Sequence, residues 1–292
     1  MRLSNQNKPS TSAAQRAGYL TRNAWRGLGC VAVMTGMPLG SAFADTLHIR
    51  YAVSLLGLPL GTAGLDAKLE ADTYALDVTA KLTGLASVVS NSKGAAASTG
   101  AVSAGKVSPS TYATSSSNSK ETRTVRMSMA AGNVKGVDIA PPFDVQPDRV
   151  PLTEAHRRSI IDPVSALVMP VPTGADLVGA AACNRSLPIF DGYTRFDVTL
   201  SYVGIRNVKT KGYAGPVSVC AARYVPIAGH KADRPATKFM ADNRDMEVWL
   251  LPVASARLEM PYRISVKTMV GTTVIEAQEV RVDGPTRASV AQ

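Results

Sequence analysis

The sequence has little of what most active sites are made from. Among 292 residues there are three histidines and three cysteines, and aromatics make up 5%. No H-E-x-x-H, C-x-x-C or G-x-S-x-G pattern occurs, and no dinucleotide-binding glycine fingerprint. His48, His156 and His230 are scattered, so the sequence predicts no metal site and no cofactor. No catalytic residue is assigned, and the expectation is that the protein is not an enzyme. Lys and Arg form no stripe interleaved with aromatics, which excludes a nucleic-acid footprint. No apolar run is long and uninterrupted enough to anchor the chain in a bilayer, so an integral membrane protein is not expected.

What is present begins with a leader. Arg2, Lys8, Arg16, Arg22 and Arg26 precede a small, apolar stretch, GLGCVAVMTGMPLGSAFA, that ends in Ala42-Phe43-Ala44. A basic region, a short apolar region and an A-x-A site predict a secretory signal over residues 1–44, cleaved after Ala44, and a periplasmic protein. The leader carries five cations and no acid, so its loss halves the formal charge of +10. The remainder still has a modest bias towards anionic surfaces. Residues 45–284 read as one β domain and 285–292 as a disordered tail. Cys183 and Cys220 are the cysteines left after cleavage. In an oxidising compartment the pair reads as a disulfide, which stabilises by roughly 4 kcal/mol through loop closure.

Period-2 alternation recurs through most of the chain, and long helical periodicity is nearly absent. Tyr74, Leu76, Val78, Ala80 and Leu82 share one face of a strand, with Ala75, Asp77, Thr79 and Lys81 on the other. Residues 57–61, GLPLG, read as a bend between paired strands. The Ser/Ala/Gly-rich stretch 86–119 reads as short, thinly packed strands. Around residues 152–169 the pattern changes to one or two short helices, with Asp162 as a cap ahead of Pro163. The pattern predicts a mainly β fold, with a strongly curved antiparallel sheet forming a half-open or partial barrel.

The stretch LPIFDGYTRFDVTL, residues 187–200, holds a charge cluster of Asp191, Arg195 and Asp197. Asp191-Gly192 suits a hairpin turn because both residues tolerate positive φ. Arg195 and Asp197 share a strand face and can pair there without any active site. Asp162, Asp191 and Gly192 are therefore read as turn or cap residues, while a hydrolase using Asp162 or Asp191 is kept as a remote alternative.

Four segments resemble a family of exported proteins: YAVSLLGLPLG, IIDPVSAL, Cys183-x₆-FDGYTRFD and YAGPVSVCAARYVPIAG. In order and spacing they are similar to proteobacterial domain-of-unknown-function family 3108, over about residues 46–282. The resemblance implies the export signal and the Cys183–Cys220 pairing. It also implies an architecture like the half-open barrels of periplasmic lipoprotein carriers, and it carries no catalytic residues. The expected function is binding of a lipid or other amphiphile on an apolar concave face. The expected lining is Leu76, Val78, Phe196, Val198, Leu200, Ile264 and Val266. The alternative is a structural cell-envelope protein that binds peptidoglycan or a protein partner.

Overall fold

The computed structural model describes residues 45–70, 72–84, 87, 92–143 and 146–284. The predicted signal (1–44) and tail (285–292) lie outside the described residues. Seven strands follow one another as an antiparallel meander: β1 (Asp45–Leu55), β2 (Leu58–Leu69), β3 (Thr73–Leu82), β4 (Lys93–Ser103), β5 (Lys106–Ser117), β6 (Thr122–Ala130) and β7 (Asn133–Ala140). After the two-residue β8 (Met169–Pro170), a second meander runs through β9 (Arg185–Phe190), β10 (Arg195–Thr210), β11 (Tyr213–Ala228), β12 (Met246–Val253), β13 (Leu258–Thr268) and β14 (Gly271–Asp283). Pairing of β1 with β14 joins the two into a 14-stranded sheet with β7 at one edge and β9 at the other. The expected mainly β, incompletely closed antiparallel sheet is what the chain forms. No described helix is long and apolar enough to cross a membrane.

Alternation explains why these segments become strands. Leu47, Ile49 and Tyr51 of β1, Leu65, Ala67 and Leu69 of β2, and Tyr74 and Leu76 of β3 all point into one core. Where the sequence reading differs, the reason is local. The bend expected over 57–61 is a tighter turn, with only Leu56 and Gly57 between β1 and β2. Pro59 enters the strand because it sits at a register shift opposite Ser54, where its missing N–H breaks no regular ladder. Pro109 lies inside β5 at a similar shift, so the Ser/Ala/Gly-rich stretch forms two long strands rather than short ones.

The edges β7 and β9 do not pair with each other. Residues 158–171 cross between them instead. Ile160 N–H donates to the Gly132 carbonyl at the β6–β7 turn (2.9 Å), while Ile161 exchanges hydrogen bonds with β9 at Pro188 and Phe190 (both 2.9 Å). One short 3₁₀ helix, Glu154–Arg157, precedes the segment and another, Ser165–Leu167, lies within it, where short helices were expected. Its side chains serve two cores. Ile160, Val164 and Val168 join the larger one, between the meanders. Ala166, Met169 and Val171 join a smaller one with Leu187, Ile189, Leu200, Val248 and Leu250. The crossing segment is thus a plug.

Cys183 and Cys220 form a disulfide with Cα atoms 5.4 Å apart, buried in the smaller core. It fastens the short helix Ala180–Cys183, just before β9, to the middle of β11. Closing a 37-residue separation predicts that Cys183→Ala/Cys220→Ala loses about 4 kcal/mol of stability, measured by urea unfolding against the oxidised wild type.

Candidate functional site

Asp162 is fully buried, and its carboxylate is the anchor of the plug. Oδ1 accepts from Val164 N–H and Ser165 N–H, both at 2.9 Å, which satisfies donors at the start of the 3₁₀ turn. Oδ2 accepts from Ser165 Oγ. Ser98 Oγ of β4 lies 3.0 Å from Oδ2 and 2.9 Å from the Thr111 carbonyl, so its single proton can serve either. Tyr74 of β3 shares a 2.7 Å hydrogen bond with Ser165 Oγ. Burial raises the Asp162 carboxyl above its ordinary range, opposed by the Ser165, Ser98 and Val164 hydrogen bonds. Burial likewise pushes the Tyr74 phenol up to about 12. The helix that Asp162 precedes is shorter than expected, because Pro163 and Val164 stay outside it.

Asp191 also acts on its own turn. Its Oδ1 accepts from Tyr193 N–H (2.9 Å) and Thr194 N–H (2.6 Å), and its Oδ2 from Thr194 Oγ1 (2.6 Å). Gly192 has φ +96°, and a Cβ there would fall 2.6 Å from Val125 Cγ1 of β6. The turn is therefore docked on β6 and β7, and only glycine leaves room for it. Arg195 pairs with Asp197 on the same strand.

A largely apolar space lies beside the smaller core. A groove of about 270 Å³ is floored by Pro163, Ala166, Leu167 and Met169 of the plug and walled by strands β9 to β13. That volume sits just below the roughly 300–1,000 Å³ usual for ligand clefts. Val198, Leu200, Ile264 and Val266 line it, as do Met240 and Met246. Val198, Ile264 and Val266 are half-buried, so the groove is open on that side. The other expected lining residues lie elsewhere. Leu76 is buried in the larger core with Val78 packed on it, because the plug fills the space they face. Phe196 packs against the smaller core and tilts against Tyr224, ring centroids 5.3 Å apart. Met240 comes from the helix Pro235–Asp242, which strand-period reading missed; Pro235 at its first turn was the available signal.

A second buried acid also escaped the sequence reading. Glu259 of β13 is fully buried, and Ser218 Oγ donates to its Oε1 (2.8 Å). Ser218 Oγ in turn accepts from Gly179 N–H (2.8 Å). Burial raises the Glu259 carboxyl to about 7, with the Ser218 hydrogen bond and the charge of Arg185 pulling the other way. Arg185 donates to the Pro170 and Ala181 carbonyls at 2.8 and 2.9 Å. Among the described residues no three His, Cys, Asp or Glu side chains gather as a metal site.

Two outcomes follow from these contacts. Gly192→Ala meets both the positive φ and the Val125 contact, so it should destabilise by about 1–3 kcal/mol in urea unfolding. Glu259 holds its proton more tightly when folded, so its contribution to stability falls as pH rises from 4.5 to about 7 and is flat above. Glu259→Gln should remove that slope and leave the part due to Asp162. Near pH 8 it should be the more stable protein by on the order of 3 kcal/mol, read from unfolding curves at acid and alkaline pH.

Comparison with curated proteins returns no match. Among solved structures, one similar chain is a beta-barrel-like protein of domain of unknown function DUF1849 from Brucella abortus. It has a TM-score of 0.45 and 9% sequence identity, and the alignment covers 82% of this chain and 98% of that one. The family model described as "Protein of unknown function (DUF3108)" matches residues 50–278. That span takes in the plug, both disulfide cysteines and every groove-lining residue, and the chain belongs to the DUF3108 family.

Proposed function

We propose that this protein is an exported, non-enzymatic binder of an apolar chain, such as the acyl portion of a lipid or another amphiphile. The groove beside the smaller core carries the reading. Its walls are almost wholly apolar, and it is half open along Val198, Ile264 and Val266. Met169, Met240 and Met246 border it, and unbranched thioether side chains adapt to ligands of differing shape. A concave apolar wall with few polar groups suits a chain held by burial rather than by directed hydrogen bonds.

Support for a role without catalysis comes from the acids. Asp162 and Asp191 both spend their oxygens on local backbone and hydroxyl donors, and Asp197 is held by Arg195. Support for export comes from the leader pattern and from a buried disulfide, a linkage favoured in oxidising compartments.

The test is uptake of a fluorescent fatty acyl probe, with native mass spectrometry and lipid extraction of gently purified protein. Wild type should bind the probe. Val198→Trp, which places an indole in the groove, should weaken uptake about tenfold or more while leaving the fold intact. A protein that is always empty and takes up no probe would end the reading. Retention on purified peptidoglycan in that case would favour the structural envelope role, and turnover in an ester or glycoside panel would favour a hydrolase.

A further inference from the structure

We propose that the hairpin end formed by the β1–β2 and β13–β14 turns docks on an anionic lipid bilayer surface. Four large apolar side chains stand in the solvent there: Leu56 is 66% exposed, Leu58 70%, Met269 59% and Val270 71%. Tight turns normally hold Gly, Asn, Asp or Ser, each for a conformational reason. Leu56 instead takes a left-handed φ of 53°, which a leucine adopts only at a cost, and its side chain is largely exposed. Leu56 packs in part over Gly271, but the fold leaves most of Leu58, Met269 and Val270 uncovered, and a partner would cover them.

The two turns form one unit. Leu56 N–H donates to the Thr272 carbonyl at 2.9 Å, and Gly271 leaves the space that the Leu56 side chain occupies. Beside this tip lies uncompensated positive charge. Lys81 of β3 and Lys93 of β4 sit directly opposite each other in the ladder, and neither has an acidic partner among the described residues. Like charges opposite one another are unfavourable unless an anion joins them. Lys81 is itself level with Thr62 of β2, four residues along from Leu58. At about 3.4 Å per residue the cation pair lies ~14 Å behind Leu58. With the tip sunk about 5–10 Å at the headgroup boundary, the lysines meet the phosphate layer.

The occupant follows from this combination. Four side chains are too few for a stable protein interface, which takes about 20–30 residues a side. A bilayer requires no matching shape, accepts apolar tips, and supplies the anions that Lys81 and Lys93 lack. The inference does not depend on groove binding, but the two sites are connected in the chain. Groove residues Ile264 and Val266 lie on the strand that ends in the β13–β14 turn.

Co-sedimentation of the purified protein with lipid vesicles tests it. Wild type should sediment with vesicles of phosphatidylethanolamine and phosphatidylglycerol, poorly with phosphatidylcholine, and less as salt rises. The variant Leu56→Asn/Leu58→Ser/Met269→Ser/Val270→Ser should bind roughly tenfold more weakly or not at all. Lys81→Gln/Lys93→Gln should lose about tenfold in affinity and most of the preference for anionic lipid. All the altered side chains are exposed, so unchanged circular dichroism and melting are expected and are checked. Val198→Trp should still sediment, which separates this inference from the acyl-groove reading. Wild type remaining in the supernatant, or a tip variant binding as wild type does, would overturn the proposal. So would a tip-dependent dimer in light scattering without vesicle binding.

Discussion

The carboxylate of Asp162 is the constraint on which the arrangement of the sheet rests. The chain must leave the β7 edge and re-enter at the β9 edge, and it does so through the interior rather than around it. A backbone crossing a core brings polar groups that need partners, and an isolated buried carboxylate would cost several kcal/mol. Asp162 answers both needs. It satisfies the Val164 and Ser165 amides and is itself held by hydroxyls from the plug and from β4. Tyr74 on β3 completes the cluster through Ser165. Because the same segment supplies the floor of the groove, the position of Asp162 also sets the groove's depth.

The rest of the second meander is fastened to this plug by contacts of different kinds. The Asp191-Gly192 turn closes against β6 and β7, which ties the far edge of the first meander to the start of the second. The disulfide holds the short helix before β9 on β11. At the opposite end of the long β10–β11 hairpin, Val280 N–H donates to the Lys211 carbonyl, and the tip covers the part of β14 that β13 has left. A sheet that does not close by pairing at its edges is held by a plug, a docked turn, a covalent bond and a folded-over tip.

The strands that build the larger core were legible because each has one wet face. Leu47, Ile49 and Tyr51, or Leu65, Ala67 and Leu69, stand out at period 2 against polar neighbours. Asp162 and the Asp191-Gly192 turn were legible because capping and turn chemistry act within a few residues. Glu259 was not, since residues 258–262 are buried on both faces and the alternation that marks a surface acid is absent there. Nor was Met240, whose helix of eight residues is too short to establish a helical period. Leu76 and Val198 illustrate a further limit. Both alternate in the same way, yet one packs beneath the plug and the other lines the groove.

The sequence by itself determined the strand pattern, the local turns and caps, and the cysteines available for a disulfide, because each depends on residues near one another in the chain. Only the tertiary structure decided which apolar faces are filled and which are left open. It alone brought Lys81 opposite Lys93, and the β1–β2 turn against the β13–β14 turn. Those outcomes depend on where the plug lies and on how the first strand meets the last. They are pairings over long separations, which no local period encodes.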